Sequence, residues 1–132
     1  MEKLMNVILS IKPQFVEKIL SGVKIYEYRK VAFKRPVSRV YIYSSSPVKR
    51  IVAEFVLETV LSGSPINIWE KTKECSGIDK AYFFDYFDNK EQAFALKIKD
   101  LHIYNQKYNP YEILPNFIAP QSFCYINNLD LL

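Results

Sequence analysis

A lysine, a glutamate and an arginine stand close together in the chain, at Lys24, Glu27 and Arg29. Glu27 is the only acid among the nine charged residues of segment 24–50, so its placement does not serve solubility. Its carboxylate can accept hydrogen bonds from the amino groups of cytosine or adenine. The guanidinium of Arg29 is a planar fork that suits phosphate or stacks on a base. The structural alternative is that Glu27 forms a strand salt bridge with Arg29 or with Lys12.

Several polar and aromatic residues elsewhere are also candidates for contacts to a ligand. Lys12 can neutralise a phosphate or be an ordinary solvated lysine, and the serines of residues 44–46 offer hydroxyls and backbone N–H groups or form a simple loop. Trp69, the sole tryptophan, can stack on a base or be a half-buried packing residue. Gln121 can present its amide to a ligand or anchor the C-terminal segment. The candidate ligand- or RNA-binding residues are Lys12, Arg29, Lys30, Ser44, Ser45, Ser46, Trp69, Gln121 and Ser122.

The charge of the chain is unevenly distributed. Eighteen Lys and Arg against fourteen Asp and Glu give a net charge of +4. Residues 1–50 hold eleven basic and three acidic residues, a balance of +8, whereas residues 51–132 hold seven and eleven, a balance of −4. A basic half of this kind is typical of a surface that meets phosphate. The alternative is a solvated face that keeps the protein in solution.

Composition excludes several classes of protein and of site. Cys75 and Cys124 form no CxxC pair, and His102 is the only histidine, which argues against a zinc site and a Ser-His-Asp triad. We therefore expect no metal, no cofactor and two reduced thiols. No apolar stretch approaches the roughly 20 residues of a membrane span. Residues 1–9 lack the features of a secretory leader, so we expect a cytoplasmic protein that does not contact membranes.

The periodicity predicts a single domain over residues 1–132, beginning strand–helix–strand. A buried strand over 6–12 is followed by a helix that starts at Pro13 and ends at Gly22. A strand over 24–30 follows, and its alternation places Glu27 and Arg29 on one side and Lys24 on the other. Strands over 39–44 and 50–61 come next.

The second half of the chain is predicted to add two helices and a last strand. One helix follows the Ser64–Pro65 pair, and a second is capped by Asp79. The aromatic residues of the second helix, at 82, 83, 86 and 87, indicate core packing rather than a stacking platform. A final strand runs over 93–104, and three prolines predict an irregular tail over 109–132. Five or six strands of this kind favour a mixed, largely antiparallel sheet that forms an open or closed small barrel.

Three consecutive motifs resemble the signature of the ASCH domain: Ile11-Lys12-Pro13, then residues 19–24 (ILSGVK), then residues 26–30 (YEYRK). Residues 41–47, 68–71 and 120–123 resemble the branch often labelled predicted transcriptional regulator. The resemblance implies an α+β fold, a PUA-like small mixed β-barrel with short peripheral helices and a cleft between barrel and helices. It also implies nucleic acid, or a nucleoside derived from it, as the ligand class. The sequence has no helix-turn-helix pattern, so we do not expect this chain alone to regulate DNA.

The resemblance also suggests two enzymatic activities. Some ASCH proteins are acetylcytidine amidohydrolases that use a lysine, a threonine and a glutamate. Lys24 matches the lysine, Glu27 stands where the threonine would be, and neither Glu70 nor Glu74 aligns clearly with the second carboxylate. Other ASCH proteins have been proposed as ribonucleases. Metal-independent cleavage needs a base for the 2′-hydroxyl and a cation for the phosphate, which Glu27 with Lys24 or Arg29 can supply.

The leading hypothesis is therefore an RNA- or modified-nucleoside-binding ASCH domain with a basic cleft, with a regulatory role as one option. The first alternative is a hydrolase acting on RNA or an acylated nucleoside, with Lys24 and Glu27 as the catalytic residues. The second alternative is a regulatory module that binds a small ligand or a protein. RNA or a nucleotide or nucleoside is the expected partner, and the sequence assigns no protein partner.

Overall fold

A six-stranded mixed sheet organises the computed structural model, which describes residues 3–127 and residue 129. Its strands are β1 (Met5–Ile11), β2 (Tyr26–Arg29), β3 (Val37–Ser44), β4 (Arg50–Gly63), β5 (Ala93–Tyr108) and β6 (Phe123–Ile126). The order across the sheet is β2-β5-β4-β3-β1-β6. Among the described strands, β1 and β3 pair in parallel and all other neighbours pair antiparallel, and the sheet curls into an open half-barrel. This confirms the α+β class and the small-barrel architecture.

Within the described residues, four short α-helices lie around the sheet, with a 3₁₀ turn over Lys73–Cys75 after the second: α1 (Pro13–Leu20), α2 (Pro65–Thr72), α3 (Lys80–Tyr86) and α4 (Pro110–Ile113). Local sequence sets their ends. Gly22 adopts φ +87° just beyond α1, a conformation that favours glycine. The side chains of Ser64 and Asp79 accept hydrogen bonds from the backbone N–H groups of Asn67 and Tyr82, at 3.2 and 2.7 Å. None of the helices within the described residues is long and apolar enough to cross a membrane.

The buried side chains form groups on both faces of the sheet. On one face, alternate residues of β1 and β3 pack with α1; this group includes Val7, Leu9, Ile11, Val16, Ile19, Val40, Ile42 and Phe55. The opposite face carries Ile8, Tyr41, Tyr43 and Ile51, covered by apolar residues of segment 114–129. A third group joins α2 and α3 to the β2 end of the sheet, through Ile68, Trp69, Phe83, Phe87, Tyr28, Ala93 and Ala95. Both ends of the sheet are thereby anchored to helices or to the C-terminal segment.

The C-terminal segment is more ordered than its prolines suggest. The expectation of an irregular tail is wrong for residues 123–126, because β6 pairs antiparallel with the free edge of β1, with Leu9 opposite Phe123. The pairing continues toward Ser10, whose backbone N–H donates to the carbonyl of Ser122 at 2.8 Å. An exposed strand edge that lacks a partner gains hydrogen bonds from any extended segment that reaches it. Residues 128 and 130–132 of the predicted tail lie outside the described residues.

Candidate functional site

A cavity of about 510 Å³ opens where the end of β1, the start of α1, β2 and the loop between β3 and β4 converge with segment 119–121. This volume lies in the range of pockets that enclose small organic ligands. Basic and aromatic side chains dominate its lining. They include Lys12, Lys24, Arg29 and Lys49, together with Phe15, Tyr28, Tyr43, Tyr82, Tyr86 and Tyr111.

A buried ion pair forms the floor of this cavity. Lys24 is 2% exposed, and its Nζ donates a hydrogen bond to the carbonyl of Ser76 at 2.8 Å. The same ammonium lies 3.6 Å from Glu27 Oε1 and 4.6 Å from the centroid of the Tyr28 ring. Burial lowers the pKa of Lys24, and the charge of Glu27 opposes that shift. The carboxylate and the carbonyl therefore offset part of the cost of placing an ammonium in the interior.

Arg29 extends the ion pair toward the C-terminal segment. Its Nη2 donates to Glu27 Oε2 at 2.8 Å and to the carbonyl of Ser10 at 2.7 Å. Its Nη1 donates to Ser122 Oγ at 3.3 Å. Arg29 Nε is the one buried side-chain polar atom without a hydrogen-bond partner within the residues that the structure describes. One guanidinium thus joins β2, the end of β1 and the segment leading into β6.

Gly77 makes the burial of Lys24 possible. Its φ is +67°, and a Cβ atom at this position would overlap the Cβ of Lys24 and lie 2.7 Å from its Cγ. The turn at Ser76 and Gly77 must approach closely, because it supplies the carbonyl that accepts from the ammonium. Glycine is the residue that permits both this approach and this backbone conformation.

Tyrosines and a lysine shape the walls of the cavity. Tyr43 Oη lies 3.4 Å from Tyr111 Oη, and the ring of Tyr111 packs edge-on against Phe117 at 5.0 Å. Burial and this hydroxyl contact raise the pKa of Tyr43 to about 12, so its hydroxyl keeps its proton at neutral pH. On the opposite side, Lys12 Nζ donates to Tyr82 Oη at 3.2 Å.

The cavity is electrostatically suited to an anion. Four basic side chains contribute to its lining, and Glu27 is the one carboxylate among the described residues that line it. Both carboxylate oxygens face cations, Oε1 toward Lys24 and Oε2 toward Arg29. Lys12 and Lys49 are exposed, which leaves their ammonium groups accessible to a bound phosphate.

No family model matches the chain. A curated relative from Zymomonas mobilis, named ASCH domain-containing ribonuclease, is 28% identical over 126 residues, which are 90% of this chain and 82% of the relative. The crystal structure of ASCH from Zymomonas mobilis superposes with a TM-score of 0.85 at 27% identity, covering 92% of this chain and 87% of that one. A serine-to-alanine variant of that protein gives a TM-score of 0.86 at 25% identity, with 96% and 92% covered.

This chain is an ASCH domain. The relative and the solved structures cover nearly its whole length, so the half-barrel described above is the PUA-like ASCH fold.

Seven of the residues singled out in the sequence line the cavity of this ASCH domain. They are Lys12, Lys24, Glu27, Arg29, Ser45, Ser46 and Gln121. Ser122 lies beside it through its hydrogen bond from Arg29. The salt bridge between Glu27 and Arg29 that stood as the structural alternative is present, yet both partners still line the cavity.

Trp69, Ser44 and Lys30 do not line the cavity. Trp69 is 8% exposed and packs 4.9 Å from the Phe83 ring, so the base-stacking interpretation is replaced by core packing. Ser44 is buried at the end of β3, where it pairs with β4. The ammonium of Lys30 lies 4.5 Å over the ring of Tyr86, which is itself a wall residue.

The predicted strand face of Lys24 is wrong, and the two other glutamates considered for the site lie outside the cavity. The alternation that placed Lys24 opposite Glu27 is wrong, because β2 begins only at Tyr26 and Lys24 lies before it. Glu70 and Glu74 are exposed, and Glu70 pairs with Lys73 at 2.8 Å, so neither adds a second carboxylate to the cavity.

Sequence reasoning missed Tyr43, Tyr82 and Tyr111 as cavity residues and included Lys49 only as one of the basic residues of segment 24–50. The three tyrosines lie on a predicted strand, on a helix predicted to pack in the core and in the predicted tail, where tyrosine is ordinarily a packing residue. The sequence signal for Lys49 was its position two residues after Pro47, next to the serine-rich loop.

Replacement of Gly77 by alanine tests the close approach to Lys24. Gly22→Ala is the matched control, because Gly22 also has a positive φ but has no atom within 4 Å of its missing Cβ. We expect both variants to lose about 1–2 kcal/mol from the left-handed backbone, and Gly77→Ala to lose roughly 1–3 kcal/mol more from overpacking. Urea denaturation measures both; equal losses would contradict the packing described for Lys24.

Proposed function

We propose that this ASCH domain binds RNA and takes one nucleotide into the cavity. The observation that carries the proposal is the lining itself, with four basic side chains and six aromatic rings around a space of about 510 Å³. Aromatic faces stack on bases and cations neutralise phosphates, and this combination is typical of sites for single-stranded nucleic acid. The Zymomonas mobilis relative, named a ribonuclease, supports RNA as the polymer.

Tyr111 is the wall residue best placed to stack on a base. Its side chain is 49% exposed, while its position is fixed by Phe117 on one side and the hydroxyl of Tyr43 on the other. A ring that is already ordered loses little conformational entropy when a base stacks on it. Tyr111 therefore takes the base-stacking role for which Trp69 was a candidate in the sequence.

The phosphates are assigned to the rim of the cavity. Lys12 and Lys49 are exposed there, and Ser45 and Ser46 add hydroxyls and backbone N–H groups between β3 and β4. The basic loop 30–36 leads away from Arg29, and its backbone is held by Tyr125 Oη, which accepts from the N–H groups of Lys34 and Arg35. The phosphates on either side of the bound nucleotide can therefore be neutralised by the rim lysines and by the basic loop 30–36.

Glu27 is the residue assigned to read the base. Its Oε1 is 3.6 Å from Lys24, which is longer than a hydrogen bond, so this oxygen can still accept from a base amino group. Cytosine and adenine present such an amino group. The proposed preference is thus for bases with an exocyclic amine.

A regulatory role and a cytoplasmic location stay predictions.

The salt dependence of RNA binding tests the proposal. Fluorescence anisotropy with labelled single-stranded RNA should show log affinity falling with log salt by about 0.7 for each phosphate that is neutralised. Contacts from Lys12 and Lys49, to which the phosphates are assigned, would give a slope of about −1.4 on this scale. Absence of binding at low salt, or an affinity that does not change with salt, would contradict it.

The same titration with two variants of Tyr111 locates the binding. Tyr111→Ala should weaken RNA binding by about 1–3 kcal/mol, the contribution of stacking one base. Tyr111→Phe is the control, because it keeps the ring and loses only the hydroxyl near Tyr43. Binding by Tyr111→Ala that equals the wild-type protein would place the RNA outside the cavity.

A second candidate function is metal-independent cleavage of the bound RNA, which the name of the relative favours. In this reaction the 2′-oxygen attacks the adjacent phosphorus and the bond to the 5′-oxygen breaks, leaving a 2′,3′-cyclic phosphate and a 5′-hydroxyl. In this candidate Glu27 Oε1 would take the 2′ proton instead of contacting the base, and Tyr43, which is protonated at neutral pH, would donate a proton to the leaving oxygen. Lys24 is buried, so its assigned part is to hold Glu27 in position.

Cleavage is tested with end-labelled RNA in the presence of a chelator. We expect products with cyclic phosphate ends, and Glu27→Gln should slow their formation by about 10²-fold or more with binding nearly intact. Because burial raises the pKa of Tyr43 to about 12, the rate should not fall between pH 7 and 10 through loss of its proton. Acetate release from acetylcytidine is measured in parallel. Inactivity in both assays would exclude the catalytic candidates and leave RNA binding standing.

A further inference from the structure

We propose that a second cavity, lined by residues of α1, of the turn at Gly77 and of α3, binds the nucleotide next in the RNA chain to the one in the first cavity. This inference rests on the proposed function and extends it from one nucleotide to two. The second cavity has a volume of about 550 Å³ and is called here the flanking cavity. Its own lining residues are Gln14, Lys18, Val23, Gly77 and Asp79.

The two cavities share one wall. Phe15, Ile78 and Tyr82 contribute to the lining of both. The rings of Phe15 and Tyr82 meet edge to face at 5.1 Å, which makes this wall a fixed ridge rather than a loose pair of side chains. A nucleotide on each side of the ridge would be separated by little more than these two rings, as consecutive nucleotides of one strand require.

A cation stands on the ridge where the connecting phosphate would cross it. Lys12 Nζ donates to Tyr82 Oη at 3.2 Å, and its side chain is otherwise exposed. It lines the first cavity while contacting a residue that lines both. One phosphodiester between the two nucleotides can therefore be neutralised by Lys12.

The flanking cavity carries the groups that a nucleotide needs. Val23 is 53% exposed and, with Ile78, offers an apolar surface for the face of a base. Gln14 is exposed on α1 and has both a donor and an acceptor for a base edge. Lys18, one turn further along α1, supplies a cation for the next phosphate. Asp79 Oδ1 already accepts from the N–H of Tyr82.

Nucleotides of different length test the inference. We would titrate the wild-type protein by calorimetry with the four ribonucleoside monophosphates, as 5′- and as 3′-phosphates, and with ribodinucleotides that contain them and carry a further phosphate on the added nucleotide. The best dinucleotide should bind about tenfold more tightly than its monophosphate, because one base surface and one phosphate are added. In parallel NMR titrations, the Val23 methyl and Gln14 side-chain amide signals should shift with the dinucleotide and not with the monophosphate.

Lys18→Ala should abolish the gain from the second nucleotide and leave the affinity for monophosphates unchanged. Gln14→Ala, at an exposed helix position, is the second variant and should reduce the gain. Lys99→Ala, an exposed lysine of β5 that lines neither cavity, is the matched control and should change nothing.

The outcomes separate this inference from the proposed function. Failure of every monophosphate and dinucleotide to bind would overturn both. Binding of monophosphates without a gain from dinucleotides would overturn the flanking cavity alone. The same holds if Lys18→Ala and Lys99→Ala weaken dinucleotide binding equally, or if the Val23 and Gln14 signals do not move.

Discussion

The ammonium of Lys24 is buried, and the surrounding structure is arranged to accommodate its charge. An isolated ammonium in a protein interior carries a desolvation cost of several kcal/mol, which partners must offset. Three partners come from different parts of the chain: the carboxylate of Glu27, the carbonyl of Ser76 and the ring of Tyr28. The junction between α1 and β2 is thereby tied to the turn that precedes α3, and Gly77 is the residue that lets the turn come close enough.

The same ion pair organises the cavity above it. Because Lys24 faces one carboxylate oxygen of Glu27, Arg29 can take the other and still reach the end of β1 and Ser122. The hydrogen bond to Ser122 holds the C-terminal segment at the cavity. Residues 119–121 of this segment, just before β6, form part of the cavity lining. A fixed carboxylate below and exposed lysines at the rim suit the two tasks of the proposed function, since a rigid acceptor can select a base whereas exposed cations attract the phosphates of any sequence.

Sequence patterns were sufficient where the signal is local. Pro13 begins α1 and Gly22 follows its end, and Ser64 and Asp79 cap α2 and α3. These ends could be predicted because a cap acts on backbone groups within three residues of itself. The motif around Glu27 led to the ASCH family and to most of the cavity floor. The features that the sequence did not predict depend on contacts between distant parts of the chain. The pairing of β6 with β1 joins residues more than one hundred positions apart, and four residues after a proline carry no periodic signal.

The exposure of the aromatic residues is a second feature that the sequence did not predict. Trp69 and Tyr111 both have the chemistry to stack on a base, and of the two only Trp69 was named as a candidate from the sequence. The structure buries Trp69 against Phe83 and leaves half of Tyr111 exposed at the cavity. Which face of an aromatic ring meets solvent depends on how helices and the tail pack on the sheet, so composition and spacing alone do not decide it.

A crystal structure of this ASCH domain with a bound short single-stranded RNA tests the central claim most directly. The account predicts one base against the Tyr111 ring with its amino group toward Glu27 Oε1, and a phosphate oxygen about 3 Å from Lys12 or Lys49 Nζ. RNA bound elsewhere on the domain, with the cavity filled only by water and the contacts of Lys24, Glu27 and Arg29 unchanged, would contradict it.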